Sequence, residues 1–333
     1  MDKRFTTLHQ LIQEFEVLNK VEGKSQRTVE KYNFVLGQFL SYLRDRGKPI
    51  TLGDLTLPLV REYVVHLQQR DRLTAPGKRG RKGLSPGTID THVRSIRAFF
   101  HWLCQDGYTE KHVLERLKPP RLPKELTEPL SDMELSLIYS AIGGDTAWGS
   151  RDLAIVTTFL DTGLRRSELA ELKVDDVHLE EGRLKVMGKG RKERIAPLGN
   201  SARRTLIRYF YHFRPHPFQG EENSFFLTIE GEALTSNAVR LVVDRLAKRS
   251  GVKRLHAHLF RHTFAVRFLM NGGNVFSLQQ ILGHTSLEMV KRYVNLAEAY
   301  VISEHRKFSP VDAMNIKQLR IGRPKTRVNR RTQ

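Results

Sequence analysis

The sequence has one cysteine in 333 residues, no long apolar run and comparatively few acidic residues. The single cysteine, Cys104, excludes an intramolecular disulfide framework and a cysteine-rich zinc site, and it fits a reducing compartment. The longest apolar runs fall short of the roughly 18 residues that a membrane-spanning helix needs. The residues after Met1 lack the apolar core of a secretion signal. We therefore expect a cytoplasmic protein without a membrane partner.

Acidic residues are outnumbered by basic ones. The chain has 36 Asp and Glu against 56 Lys and Arg, which gives a net charge of +20 with His neutral. Hydrophobic residues make up 39%, enough to bury ordinary cores, and the length predicts about two domains. Such an excess of positive charge favours a polyanionic partner, of which nucleic acid is the commonest.

Residues 1–117 show apolar side chains at helical spacing in four successive stretches. The first begins at Leu8, and the second follows Ser25, a residue type that favours the start of a helix. The third begins near Thr56 and the fourth follows Ser85. Since four amphipathic helices can bury their apolar faces against one another, we predict a small all-helical domain.

A basic segment lies between the third and fourth of these helices. Its proline and glycines disfavour regular structure while its cations stay close together, which suits contact with phosphates. A charge run of this kind is more usually a solvated loop, and both interpretations stay open. In the first interpretation the cations that contact phosphates are Arg70, Arg72, Lys78, Arg79, Arg81 and Lys82.

Residues 118–125 carry three prolines and no apolar period, which predicts an extended, semi-rigid linker. A capping box formed by Ser131 and Glu134 then opens the first helix of a second domain, which we place at 126–308. The remainder, 309–333, is basic with few apolar residues, and we expect a flexible tail.

The second domain is predicted to combine helices with a small antiparallel sheet, so that the whole chain is mainly α. Strands are predicted at 183–187 and 194–198, joined by a tight basic turn, with a further short strand at 224–228. The later helices are predicted at 236–250, 257–271, 276–282 and 286–304.

Six side chains of this domain together suit chemistry at a phosphodiester, although each alone has a commoner structural explanation. Arginine pairs and imidazole N–H donors can neutralise the five-coordinate transition state in place of Mg²⁺. A tyrosine hydroxyl can attack phosphorus, and a mobile lysine can protonate the leaving 5′ oxygen. The six are Arg165, Lys189, His258, Arg261, His284 and Tyr293. We expect neither a metal nor another cofactor.

The motifs around these residues resemble those of the tyrosine recombinases, the phage-integrase and Xer-type family of site-specific DNA recombinases. They are Thr-Gly-Leu-Arg-Arg-Ser-Glu-Leu at 162–169, a Gly-Lys-Gly hairpin turn at 188–190, His-x-x-Arg at 258–261 and Leu-Gly-His at 282–284. Tyr293 follows nine residues after the last histidine, so every motif occurs in the family's order.

The resemblance implies an N-terminal helical, SAM-like core-binding domain and a C-terminal catalytic domain. It assigns Lys189 as general acid and Tyr293 as nucleophile, leaving a 3′-phosphotyrosyl link and a free 5′ hydroxyl, with Glu168 supporting Arg165. Arg191 and Lys192 are expected to contact DNA, and Arg166 either does so or is simply exposed.

The resemblance also implies double-stranded DNA as partner and a homotetramer on two synapsed sites, with accessory proteins unknown. Integration, excision and resolution, on a mobile element or a chromosome, stay open. A DNA-binding regulator without catalysis and a type IB topoisomerase-like enzyme are the alternatives. Two competing site assignments are less favoured: a zinc site at His256, His258 and His262, because Arg261 would oppose a dication, and Tyr300 as nucleophile.

Overall fold

A computed structural model describes residues 6–47, 50–70, 83–118, 127–188, 192–284, 286–294, 302 and 305–310. The chain divides into two compact units, Met1–Glu125 and Leu126–Gln333. None of the helices among the described residues is long and apolar enough to cross a membrane.

Three of the four α-helices described in the first unit begin at a hydroxyl side chain that caps them. Thr7 forms a capping box with Gln10, while Thr56 and Ser85 accept hydrogen bonds from the amides of the first turns that follow them. Ser25 precedes its helix as predicted, but its hydroxyl pairs with the Thr28 hydroxyl instead of capping. The helices are α1 (Leu8–Val21), α2 (Gln26–Asp45), α3 (Leu57–Gln69) and α4 (Pro86–Gln105).

The core of this unit is rich in aromatic rings packed at tilted or edge-on angles. Phe15 lies 5.4 Å from Phe99, and Phe39 lies 5.0 Å from Tyr63, measured between ring centroids. The buried Tyr63 hydroxyl forms a hydrogen bond with Nδ1 of His92 across 3.0 Å, so this buried polar group has a partner.

The ends of the basic segment are held together at the end of α3. The Gly83 amide donates to the Arg70 carbonyl across 3.0 Å, and the Leu84 amide donates to the Leu67 carbonyl across 3.0 Å. Arg70 itself is half-buried and donates from Nη1 to Gln38 Oε1 at 3.4 Å. The other predicted phosphate contacts of the segment, Arg72, Lys78, Arg79, Arg81 and Lys82, lie outside the described residues.

The second unit contains helices and a three-stranded antiparallel sheet of order β1-β2-β3. The strands are β1 (Val177–His178), β2 (Arg183–Met187) and β3 (Glu193–Pro197). The helices are α5 (Asp132–Ala141), α6 (Ala147–Thr162), α7 (Arg166–Ala170), α8 (Asn200–Arg208), α9 (Ser236–Ser250), α10 (Ala257–Met270), α11 (Val275–Leu282) and α12 (Glu288–Val294). A π-helical turn, Tyr209–Phe213, continues α8. The prediction of a mainly α fold with a small antiparallel sheet is confirmed.

The strand predicted at 224–228 is wrong. Its backbone amides do not follow one ladder: Phe225 donates to the Leu172 carbonyl at 3.0 Å, and Leu227 donates to the Tyr209 hydroxyl at 3.0 Å. Only isolated bridges, Lys173 to Ser224 and Leu227 to Ala233, join this stretch to its neighbours. The apolar run is buried because it fills the core beside the π-helical turn.

Helix α6 lies at the centre of this unit and packs against α8 and α10. Phe159 of α6 is stacked on Phe260 of α10, with centroids 5.8 Å apart and planes 7° apart. This packing fixes the end of α6 next to α10 and α11, where the motif residues meet.

Candidate active site

The site begins where α6 ends, at Gly163. Its φ of 61° lies in the left-handed region, and a Cβ there would fall 2.5 Å from Phe264 Cδ1 and 2.7 Å from Leu282 Cδ2. Only glycine can therefore make this turn while α10 and α11 pack so closely against it. The turn presents the Gly163 carbonyl to α10 and places Arg165 directly before α7.

The Glu168 carboxylate accepts hydrogen bonds from both the backbone amide and the side chain of Arg165. The Arg165 amide donates to Glu168 Oε2 at 2.7 Å, and Arg165 Nη1 donates to Oε1 at 2.7 Å. The Glu168 side chain is 4% exposed and that of Arg165 is 36% exposed, so the carboxylate is buried while the guanidinium reaches the surface. Both carboxylate oxygens of Glu168 therefore contact Arg165.

A second cation, Arg194 of β3, also binds Glu168. It donates from Nη1 to Oε1 at 2.9 Å and from Nη2 to Oε2 at 2.7 Å, and its Nε donates to the Ile281 carbonyl at 2.8 Å. Burial alone would raise the pKa of Glu168, but the hydrogen bonds from Arg194 and Arg165 outweigh it and lower that pKa below its usual value. Glu168 is therefore ionised at neutral pH.

Sequence reasoning missed Arg194, which it treated only as part of the hairpin. One signal could have identified it: Arg194 and the buried Ala196 are two residues apart, so they share the inner face of β3. A charged residue at an inward position needs a partner, because an unpaired buried charge is costly. The spacing does not say that the partner is Glu168.

Arg261 is the most deeply buried cation of the site, at 1% exposure. It donates from Nη1 to the Gly163 carbonyl at 2.7 Å, and from Nη2 to the Leu282 carbonyl and to His284 Nε2, both at 2.8 Å. Burial, with a further contribution from the charge of Arg165, lowers the pKa of Arg261 to about 10, which leaves the guanidinium charged at neutral pH. One guanidinium thus joins the ends of α6 and α11 to His284.

Tyr293 lies against the two histidines that flank this arrangement. Its ring centroid is 6.1 Å from that of His284, with planes 13° apart, and 5.4 Å from that of His262. Tyr293 is 3% exposed and packs with Val290 in an apolar cluster of α10, α11 and α12. The tyrosine that the motif spacing selects therefore lies beside the histidine that bonds Arg261.

The remaining predicted residues take different positions. His258 is exposed on the first turn of α10, one turn before Arg261. Lys192 is exposed at the start of the strand that carries Arg194, and its carbonyl accepts from the Gly188 amide at 2.8 Å. Lys189, Arg191 and Tyr300 lie outside the described residues.

Arg166 is half-buried, and its Nε donates to Ser236 Oγ at 2.9 Å. The interpretation of Arg166 as a simply exposed side chain is therefore wrong. Its contact joins the start of α7 to the start of α9.

Two of the three histidines of the zinc alternative contact backbone carbonyls. His256 Nδ1 lies 2.8 Å from the Arg254 carbonyl oxygen, and His262 Nε2 contacts the Thr127 carbonyl. Within the part of the chain that the structure describes, no group of three or more His, Cys, Asp or Glu side chains is placed to hold a metal ion.

The site as described carries more positive than negative charge. Arg165, Arg194 and Arg261 contribute three positive charges against the single negative charge of Glu168, so the net charge of these four is +2. A partly buried site with this balance attracts an anion, and the exposed part of the Arg165 guanidinium can bind phosphate oxygens.

Two family models match the chain. Residues 130–299 match the phage integrase family, and residues 7–118 match the phage integrase SAM-like domain.

Curated relatives are similar over nearly their full length. The chain is 31% identical to a protein of Listeria monocytogenes serovar 1/2a named tyrosine recombinase XerD, over 91% of this chain and 99% of the relative. It is 30% identical to a tyrosine recombinase XerC of Staphylococcus carnosus, over 87% of this chain and 94% of the relative.

Solved structures share the fold. An integrase of the Tn1549 transposon in complex with a circular intermediate DNA aligns with a TM-score of 0.68 at 22% identity, covering 90% of this chain and 99% of the other. XerH site-specific recombinase bound to a palindromic difH substrate aligns with a TM-score of 0.68 at 19% identity, covering 92% and 85%.

Proposed function

The chain belongs to the tyrosine recombinases of the phage integrase family, and on that premise we propose that it cuts and rejoins double-stranded DNA at a specific site through Tyr293. The observation that carries the proposal is the placement of Tyr293 beside His284, which is itself bonded to the buried Arg261. A tyrosine, a histidine and a fixed guanidinium together form a site for a phosphodiester.

In the proposed reaction, the Tyr293 oxygen attacks a phosphorus of the DNA backbone. A bond forms between that oxygen and phosphorus, the bond from phosphorus to the 5′ oxygen breaks, and the tyrosine proton is released. The product is a 3′-phosphotyrosyl link, and the leaving 5′ oxygen takes a proton from Lys189 to become a hydroxyl. Attack by a 5′ hydroxyl on the phosphotyrosine reverses these steps and rejoins DNA, so that the bond energy is kept and no nucleotide cofactor is consumed.

The cations of the site act on the charge that develops during attack. Arg165 reaches the surface, so its guanidinium can contact the non-bridging oxygens, whereas Arg261 is buried and held by three acceptors, so its fixed charge acts on the same oxygens without rearranging. We assign His258 and His284 as hydrogen-bond donors to the same phosphate. Because these groups carry the stabilisation, we propose that cleavage needs no metal ion.

Binding to DNA is assigned to basic residues outside the site. The ends of the basic segment meet at Arg70 and Gly83, which gives its cations a fixed base from which to contact phosphates. Arg166, Arg191 and Lys192 are proposed as further contacts. The domain limits that we propose are 1–117, a linker at 118–125, a catalytic domain at 126–308 and a basic tail at 309–333, with four protomers on two synapsed sites.

The experiment that tests this function lets the protein select its own target sequence. The purified chain is incubated with sheared genomic DNA of its source organism, the reaction is stopped with detergent, and DNA covalently bound to protein is recovered and sequenced. A recombinase yields adducts at one short sequence, and a plasmid with two copies of that sequence is then rearranged.

Other outcomes contradict the proposal. Dispersed adducts together with relaxation of a plasmid that lacks the sequence indicate a type IB topoisomerase-like enzyme. Tight non-covalent binding at one sequence, without adducts, indicates a regulator.

A further inference from the structure

Arg194 is the side chain that joins the three elements around Glu168. It lies on β3, bonds the α7 carboxylate with both Nη atoms and bonds the α11 carbonyl of Ile281 with Nε. Its side chain is 10% exposed and that of Glu168 is 4% exposed, so the pair is shielded from water. A bidentate pair in this setting fixes both partners in position.

All three guanidinium nitrogens of Arg194 donate hydrogen bonds to protein acceptors. The guanidinium of Arg165 is less fully engaged. Arg165 uses one Nη atom on Glu168 and is 36% exposed, so the rest of its guanidinium can face an anion. Arg194 thus has the geometry of a residue that acts through its neighbours, not through contact with the phosphate.

Arg194 is coupled to Arg165 through the two carboxylate oxygens of Glu168. Oε1 accepts from both Arg194 Nη1 and Arg165 Nη1, and Oε2 accepts from both Arg194 Nη2 and the Arg165 amide. The carboxylate orientation that suits Arg165 is therefore the one that Arg194 holds. Without Arg194, the buried carboxylate loses two of its four donors and is free to turn or to take up a proton.

Arg194 also contacts the end of α11. Besides the bond to Ile281, Arg194 packs its aliphatic part against Gly283, where a Cβ would fall 2.8 Å from Arg194 Cδ. Gly283 has φ of 63° and leads directly into His284. The backbone that presents His284 therefore rests on the Arg194 side chain.

We propose that Arg194 is a positioning residue of the recombinase: through Glu168 it orients Arg165, and through the end of α11 it places His284. The inference rests on the proposed phosphotyrosyl chemistry, because only that chemistry gives Arg165 and His284 a shared task.

The test compares R194Q and R194K with the wild-type chain. The matched control is R254Q, since Arg254 also forms a bidentate pair with a glutamate, Glu134, which lies in the first turn of α5. The probe is a nicked duplex with the sequence recovered by covalent capture from genomic DNA. Single-turnover cleavage and DNA affinity are measured for each variant.

We expect R194Q to cleave about 100-fold more slowly with unchanged DNA affinity, because small displacements of catalytic groups have effects of this order. R194K, which keeps the charge but not the bidentate geometry, should be intermediate. R254Q should cleave at the wild-type rate. Wild-type cleavage by R194Q overturns the inference, and if R194Q does not fold, wild-type cleavage by R194K does the same.

The pH profile separates positioning from general loss of stability. Burial still raises the pKa of Glu168 in R194Q while the opposing hydrogen bonds from Arg194 are gone, so cleavage should fall on the acid side where the wild type does not. R194Q combined with E168Q has no titrating carboxyl at this place and should lose that acid limb. A profile for R194Q that matches the wild type contradicts the inference.

A DNA-free measurement keeps the two proposals apart. The Glu168 carboxyl is followed by NMR during an acid titration of the wild type and R194Q. If the pKa of Glu168 does not rise in R194Q, the inference fails whatever the DNA results. If the wild type forms no covalent adduct on any genomic sequence, the proposed function fails.

Discussion

Arg261 donates a hydrogen bond from Nη2 to Nε2 of His284 across 2.8 Å. Because a guanidinium has no acceptor, the imidazole nitrogen in this contact must carry the lone pair, and the proton of a neutral ring lies on Nδ1. The contact fixes the tautomer of the ring on which Tyr293 stacks. It also supplies the third acceptor for a guanidinium that is buried and charged.

Replacing His284 should therefore destabilise the fold as well as alter the site. In H284A, Arg261 loses an acceptor in a place where it cannot reach water, and we expect a loss of about 1–3 kcal/mol in the free energy of unfolding. H284Q should lose less, because the amide oxygen can accept in place of Nε2. Urea unfolding of the three proteins measures this, and equal stability of H284A and H284Q would argue against the acceptor role.

Substitution at Gly163 should separate packing from backbone strain. A methyl group at Gly163 meets Phe264 and Leu282, whereas one at Gly251, which has φ of 76°, meets nothing within 4 Å. Both G163A and G251A carry the strain of a left-handed alanine, but G163A should lose about 1–3 kcal/mol more because it overpacks the core. Thermal unfolding compares the two variants, and similar losses would mean that the turn is not tightly packed.

The Glu134–Arg254 pair should give the second unit an acid-sensitive contact. Hydrogen bonds from Arg254 are the largest cause that lowers the pKa of Glu134, from 4.5 to about 2. A carboxyl whose folded pKa is depressed stabilises the fold above its unfolded pKa, and that stability is lost as the pH falls from about 4.5 towards 2.

The variant E134Q isolates this charge, because glutamine also serves at this capping-box position. The wild type should exceed E134Q by less than about 1 kcal/mol at neutral pH, since the pair is partly exposed, and the difference should vanish near pH 2. Urea unfolding across this range measures it. A difference that persists at the acid end would refute the assignment.

The role of Lys189 as proton donor can be tested by changing the leaving atom of the substrate. K189A should cleave an ordinary duplex slowly, because the 5′ oxygen leaves without its proton. A duplex with sulfur at the 5′ bridging position should restore the rate, since a thiolate leaves without protonation. Gel analysis of single-turnover reactions compares the two substrates; K189A that is equally slow on both has lost something other than the acid.

Much of this architecture follows from local chemistry that can be recognised in the sequence. Thr56 and Ser85 begin helices as predicted, and Gly163 and Gly283 occupy the left-handed turns that end α6 and α11. Such features depend on residues a few positions apart, which is the range that spacing and capping rules describe.

What could not be predicted depends on contacts between distant positions. Arg194 meets Glu168 across 26 residues of sequence and Ile281 across 87. No periodicity relates such positions, so the partners of an inward-facing arginine cannot be assigned before the fold is known. The apolar run at 224–228 failed as a strand for the same reason: its hydrogen-bond partners are a distant carbonyl and a tyrosine hydroxyl.

The role of Tyr293 as nucleophile is tested by comparing the wild-type protein with Y293F. Wild-type protein and Y293F are incubated with the nicked duplex of the captured sequence in the presence of EDTA, and the products are separated on a denaturing gel. We predict a protein–DNA band that survives denaturation for the wild type and none for Y293F, although Y293F binds the duplex with wild-type affinity. A band from Y293F, or none from the wild type, would refute Tyr293 as the nucleophile.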